Sequence, residues 1–422
     1  MRHLAGRLLT AAALPVTLLT VASPAHAQSS EPFAEPAAAA SSWLVAQSDG
    51  TAWNQDPSTS LDAVLALLAA GVGGDQVETT LGWLNDPAVL DPYVNTAADG
   101  AAGFNAGSAG KVMYTVATAG GDPTGFGGIR LAEEVAAAQT ANGTYGDGTA
   151  GSTAWAVLGL SRTDTPAGET AAAGFAAVQC PDGGFNYADV DGGDDCVSDP
   201  DTTGLAVSAL VTLGEPAAAT LESAVAWLES AQTEDGGFDG GFGANANSTA
   251  MAAQALLAAD RTEAAERAVA FLLTLQFDCA GAAPGAFMYT DPEDPEFGEA
   301  TRLLATAQAI VPVAGQDLAT LDGSGAEPGV AANPCESAVA DDDATAAGED
   351  GSGSTSWLPW AIVAAVVVIG ALILAFALRA RRSGADANGS AEAAPVADAP
   401  ETPAAGGEST ADEPQADKGK DK

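Results

Sequence analysis

The chain has 422 residues and a formal net charge of −42, with 14 Lys and Arg against 56 Asp and Glu. A surface this acidic repels phosphate backbones, which excludes nucleic acid as a partner. Both histidines, His3 and His26, fall within residues 1–27; if that segment is removed, no His is left for a triad, a metal or a pH switch.

Residues 1–27 read as a secretory signal peptide. Arg2 and Arg7 precede an apolar run from Leu8 to Val21, and Ala25-His26-Ala27 fits a small-x-small cleavage site. Residues 28–316 hold the folded part. Between residues 28 and 356 the only bases are Lys111, Arg130, Arg162, Arg261, Arg267 and Arg302. Residues 317–356 mix Gly, Ser, Ala, Asp and Pro and read as a flexible stalk. The uncharged run 357–378 is long enough to span a bilayer, with Trp357 and Trp360 at one interface. Arg379, Arg381 and Arg382 follow it and put the far side in the cytoplasm. Residues 379–422 carry too little apolar content to fold and form a cytoplasmic tail. The expected protein is single-pass type I in the cell membrane, with its ectodomain outside the cell.

The ectodomain repeats one phrase: an amphipathic stretch ending in Gln, a Gly-aromatic loop, then a hydroxyl residue opening an Ala-rich stretch. Gln139 leads to Gly143, Tyr145 and Ser152-Thr153. Gln179 leads to Gly183, Phe185 and Thr202-Thr203, and Gln232 leads to Gly236, Phe238 and Ser248-Thr249. Looser copies begin at Gln47 and Gln276, and a degenerate one holds Trp83-Leu84, Gly103-Phe104 and the Lys111–Ala119 stretch. The spacing implies six units of two helices each. In each unit one helix is half-exposed, as Ala224, Val225, Leu228 and Ala231 indicate by sharing a face, and the other, as over 249–258, is apolar all round. Ser152, Thr202 and Ser248 are placed to cap the second helix. Six pairs closing head to tail give two concentric rings, an all-α α6/α6 toroid.

The phrase Q-x-x-x-G-x-aromatic followed by S/T-x-A-x-x-A-L resembles the prenyltransferase/squalene-cyclase (terpenoid cyclase) repeat superfamily, over about 280 residues. The resemblance implies the toroid and several alternative chemistries. Class II cyclases use the central Asp of D-x-D-D as a Brønsted acid; Asp199-Pro200-Asp201-Thr202 is the nearest match, with Asp201 at the acid position and the last Asp missing. Prenyltransferases need a zinc-binding His and a basic diphosphate pocket, and thioester domains need a Cys-Gly-Glu-Gln box; this chain has neither. The transcobalamin/intrinsic-factor-like carrier branch demands least, and Asn245-Ala246-Asn247-Ser248-Thr249-Ala250-Met251 resembles its phrase at inner-helix starts.

The reading is therefore a cell-surface toroid that binds or presents a ligand without catalysis, with a corrinoid (cobalamin-type) uptake role as the sharpest form. A terpenoid cyclase acting on an isoprenoid-like substrate and a protein-binding scaffold are the alternatives. The expected ligand set at the toroid mouth is Tyr145, Phe185, Tyr187, Asp201, Thr202, Phe238, Phe242, Asn245, Asn247, Ser248 and Tyr289. A separate lid protein or membrane transporter would be the partner, and no cofactor is expected. The four cysteines suggest two disulfides, Cys180–Cys196 and Cys279–Cys335, with a four-thiolate metal site as the alternative. Asp189, Asp191 and Asp194 alternate around Gly as in a calcium-binding turn, against the simpler reading of a solvated acidic loop.

Overall fold

A computed structural model describes residues 33–335 apart from 98–99, 189–190 and 296. The expected signal peptide, membrane span and cytoplasmic tail lie outside these residues. Among the described residues no helix is long and apolar enough to cross a membrane.

The described chain is helical, with thirteen α-helices and one short 3-10 helix. Six of them, α2 (Pro57–Ala70), α5 (Ala106–Thr118), α7 (Ala150–Leu160), α9 (Pro200–Leu213), α11 (Ala246–Ala258) and α13 (Gly298–Val313), form an inner ring. Each packs on the next, and α13 packs on α2 to close the circle. The outer layer comprises α1 (Pro36–Ala46), α3 (Gly74–Leu84), α4 (Pro87–Val94), α6 (Leu131–Ala137), α8 (Glu169–Val178), α10 (Ala218–Ala231) and α12 (Thr262–Thr274). The six expected units are present, and α4 is an extra outer helix in the degenerate one.

Burial follows the two kinds of helix. In α11 ten residues are buried, from Ala246 to Leu256, so no face of it is left for solvent. In α12 only Ala264, Ala265, Ala268 and Leu272 are buried, at i, i+1, i+4 and i+8. Small residues let the inner helices touch backbone to backbone. A Cβ at Gly110 would lie 2.3 Å from the carbonyl oxygen of Trp155, so α5 and α7 could not approach this closely with any other residue there.

The repeated phrase is a set of fasteners. In four units the Gln that follows the outer helix donates from Nε2 to the Gly carbonyl of its own loop: Gln139 to Gly143 (3.3 Å), Gln179 to Gly183 (2.7 Å), Gln232 to Gly236 (3.0 Å) and Gln276 to Gly285 (2.9 Å); Gln47 of the first unit reaches the Trp43 carbonyl. Three of them also reach the next outer helix region, at the carbonyls of Thr220, Ala264 and, closing the outer layer, Pro36. The aromatic residue then donates its backbone N–H to a buried hydroxyl of the inner helix. The pairs are Trp53 to Ser60, Tyr145 to Thr153, Phe185 to Thr203, Phe238 to Thr249 and Phe287 to Thr306, all between 2.9 and 3.1 Å. Gly236 shows why the loop needs glycine. Its φ is +94°, and a Cβ would fall 2.4 Å from the Arg267 carbonyl oxygen of α12.

The caps differ from the expectation by three residues. Asp56, Asn105, Thr149, Asp199 and Asn245 cap the inner helices, each accepting from the amide three positions on. Ser152, Thr202 and Ser248 are those third residues and supply the amide, not the cap.

Both expected disulfides are present, Cys180–Cys196 and Cys279–Cys335. The second pins a segment whose reading as stalk is corrected. Residues 317–335 lie against the ring, with Leu318 3% and Leu321 0% exposed. Backbone bonds tie them to the ends of α2 and α5 and to the start of α3: Gly323 N–H to Thr118, Glu327 N–H to Gly71, and Gly73, Gly74 and Asp75 N–H to Gly329, Glu327 and Pro328. Leu318 also accepts from the Tyr114 hydroxyl. Gly- and Asp-rich composition suggested a linker, but backbone groups paired to the ring hold this strap in place.

Candidate functional site: the central cavity

The six inner helices run parallel, so the buried hydroxyls give them a common register. Ser60, Thr153, Thr203, Thr249 and Thr306 mark one level, with Ala109 at the matching position of α5, four residues after its cap. Counting two residues on reaches Asp62, Lys111, Trp155, Leu205, Met251 and Gln308. All six line one cavity of about 560 Å³ at the ring's centre. Further positions on the same helical faces continue its wall: Gly151 and Asp201 toward the cap end, Leu65, Gln254 and Val311 deeper in. The cavity extends from Asp147, Tyr187 and Ala188 on the loops at the helix starts to Leu318 of the strap.

The wall is divided. Trp155, Leu205 and Met251 on neighbouring helices make an apolar arc, while Gln308, Asp62 and Lys111 make a polar one. Lys111 is 7% exposed and its Nζ lies 2.8 Å from Asp62 Oδ1. Nζ also approaches the Ser58 carbonyl at 3.3 Å and sits 5.4 Å from the Trp155 ring centroid. Burial alone would lower the ammonium's pKa, but Asp62 and the other acidic groups around it hold it above the ordinary lysine value.

Asp201 stands at the cap end of α9. Its Oδ2 accepts from Ser248 Oγ at 2.7 Å, and burial pushes the carboxyl above the usual range against that bond. Asp199 is likewise raised, chiefly by burial; one of its oxygens caps α9 at 2.8 Å and Oδ2 is buried without a partner. Three more buried oxygens lack partners: Asn247 Oδ1, Gln254 Oε1 and Gln308 Oε1.

Asn247 does not line the cavity, and the other expected ligand residues separate into four groups. Tyr187, Asp201 and Thr202 line the cavity. Tyr145, Phe185 and Phe238 do not: they are 3%, 0% and 0% exposed and plug the gaps between the layers, so burial removes them from the ligand set. Asn245 is fully buried, capping α11 through Oδ1 and donating to Gly243 from Nδ2, and Ser248 serves to hold Asp201. Phe242 and Tyr289 lie outside the lining; Phe242 is exposed, and Tyr289, half-buried, has its phenol pKa raised by burial. Asp189 lies outside the described residues. Asp191 accepts from the Gly193 amide, and no group of three or more His, Cys, Asp or Glu placed to hold a metal occurs among the described residues.

The sequence reading missed Asp62, Lys111, Trp155, Gln254 and Gln308. No motif joins them; the signal was a shared register, two residues after the repeat level for Asp62, Lys111, Trp155 and Gln308, with Gln254 one turn further on.

No protein-family model matches the sequence, and no curated protein sequence does. Among solved structures the chain is similar to ent-copalyl diphosphate synthase from Streptomyces platensis, at 16% identity and a TM-score of 0.38. The match covers 66% of this chain and 50% of the synthase chain, so this protein spans half the length of that enzyme. A similarity of this size bears on neither the site nor an activity.

Proposed function

We propose that the chain is a binding protein that holds one small, largely apolar molecule in its central cavity without converting it. The observation that carries this is a closed helical ring around a cavity of about 560 Å³, inside the range of about 300–1,000 Å³ typical of ligand pockets. Its apolar arc supplies burial, and a few fixed polar groups supply orientation. Lys111 and Asp62 neutralise one another. Nothing in the wall singles out a corrinoid. That macrocycle is larger than a drug-sized molecule, and three of the aromatics expected to stack on it are core residues. The test is a calorimetric titration of the full chain with octan-1-ol, with Leu205→Trp as the filled-cavity reference. Saturable binding of about one equivalent, lost in the variant, supports the reading. Absence of saturable binding by octan-1-ol and by the amine and carboxylate of the same chain length alike, or equal octan-1-ol binding by the variant, overturns it.

A second reading rests on Asp201. It is a partly buried carboxyl with a raised pKa at the edge of a largely apolar cavity, the properties of an acid that protonates an alkene. That reading requires turnover of a linear polyprenoid and loss of turnover in Asp201→Asn.

We also propose display outside the cell, on a span at 357–378. The two disulfides suit an oxidising compartment. Protease added to intact cells should remove the ring and spare the C-terminal tail; protection of the ring would contradict the topology.

A further inference from the structure

Four buried side-chain oxygens among the described residues lack a partner, Asp199 Oδ2, Asn247 Oδ1, Gln254 Oε1 and Gln308 Oε1, and two of these residues, Gln254 of α11 and Gln308 of the adjacent α13, line the cavity. A buried acceptor with no donor is costly, so a wall that keeps two of them is incomplete without a donor from elsewhere. Gln254 is the clearest case. It is 2% exposed, lines the cavity, and spends its Nε2 on Met251 Sδ at 3.1 Å, which leaves the carbonyl oxygen unmet.

Charge agrees with this. The Asp, Glu, Lys and Arg side chains lining the cavity are Asp62, Asp147, Asp201 and Lys111. Asp62 takes up the single cation, so Asp147 and Asp201 are left in excess. An anionic ligand would bring lone pairs to a wall of lone pairs. A neutral alcohol would offer one donor and no charge. An ammonium offers up to three donors and the missing positive charge.

We propose that the cavity selects small organic cations: amines whose apolar body lies on Trp155, Leu205 and Met251 and whose N–H groups meet the oxygens of Asp201, Gln254 and Gln308. The inference rests on the binding reading above and names its ligand class. In register, Gln308 lies four positions below Asp201 and Gln254 seven, depths of about 6 and 10 Å. The acceptors therefore run as a track down one side of the cavity, so an amine can engage it at more than one depth.

The full chain is titrated with octylamine, octan-1-ol and octanoate, which share a chain and differ in the head group. Octylamine is expected to bind at least tenfold more tightly than octan-1-ol, and octanoate not measurably. In the Asp201→Asn/Gln254→Leu double variant the advantage of the amine falls to about twofold or less, while octan-1-ol still binds. Equal affinity of the amine and the alcohol for the wild type, tighter binding of octanoate, or an amine advantage that survives in the double variant overturns the cation preference and leaves the cavity reading standing. If none of the three binds the wild type, the cavity reading and this inference fall together.

Discussion

Lys111→Met tests whether the ion pair in the polar arc is a settled part of the wall. The pair is close, at 2.8 Å, and its side chains are 8% and 16% exposed. At an effective dielectric constant of about 20 the gross attraction at that distance is ~6 kcal/mol, before desolvation is counted. Methionine keeps most of the length of the lysine stem and its contact with Trp155 but leaves Asp62 facing an apolar cavity without a counter-ion. The expected loss is about 3–5 kcal/mol, the usual consequence of orphaning one partner of a buried pair. Replacing both, as Lys111→Met/Asp62→Leu, should restore stability to within about 1 kcal/mol of wild type, because no isolated charge remains. In urea the single variant's midpoint should fall by about 1 M or more, taking a slope of about 3 kcal/mol per M. The contribution is also pH-dependent with a definite sign. Lys111 is raised above its ordinary value of 10.5, so its stabilisation is complete throughout the neutral range and disappears only in strong alkali. A double variant as unstable as Lys111→Met would refute the reasoning, since the loss would then come from packing of the stem and not from an orphaned carboxylate.

Other outcomes follow from the same structure. Asp201→Asn should stabilise the protein at neutral pH. Burial raises this carboxyl in the fold, so its contribution is favourable below the ordinary value of 3.8 and is lost as pH rises through the folded value; the variant's advantage in urea midpoint should vanish in acid. Thr249→Val removes the hydroxyl that accepts the Phe238 amide and should cost about 1–3 kcal/mol, measured by urea denaturation, whereas Thr262→Val on the exposed outer layer should cost much less. Leu321→Ala should cost about 2–5 kcal/mol if the strap belongs to the core, and a change under about 0.5 kcal/mol would return residues 317–335 to the role of a linker.

What was legible in the sequence was what the backbone demands repeatedly. Gln, Gly, aromatic and hydroxyl recur because each closes a specific backbone group or admits a specific φ in every unit, so the fold and its closure could be read from three clear copies and two loose ones. The same regularity misplaced the ligand residues. Phe185 and Phe238 recur because they fill the gap between layers, and recurrence was taken for a shared role at the mouth. Cavity residues are the positions where the repeats differ, and Asp62, Lys111, Trp155 and Gln308 become visible only after the register is fixed. Asp201 was found for its neighbouring acid, and the structure adds what the sequence lacked: the bond from Ser248 and the burial that raises it. The strap at 317–335 was missed because composition reports on apolar content and not on backbone pairing, which is what holds Gly323 and Glu327. Helix α4 was missed because Pro92 interrupts a short stretch that carries no repeat phrase.

A crystal of the full chain grown with 1-iodooctane shows whether the ring holds a molecule inside it. One anomalous iodine site is expected in the space enclosed by Asp62, Lys111, Trp155, Leu205, Met251 and Gln308. Iodine bound only outside the ring, with that space filled by ordered water, would contradict it.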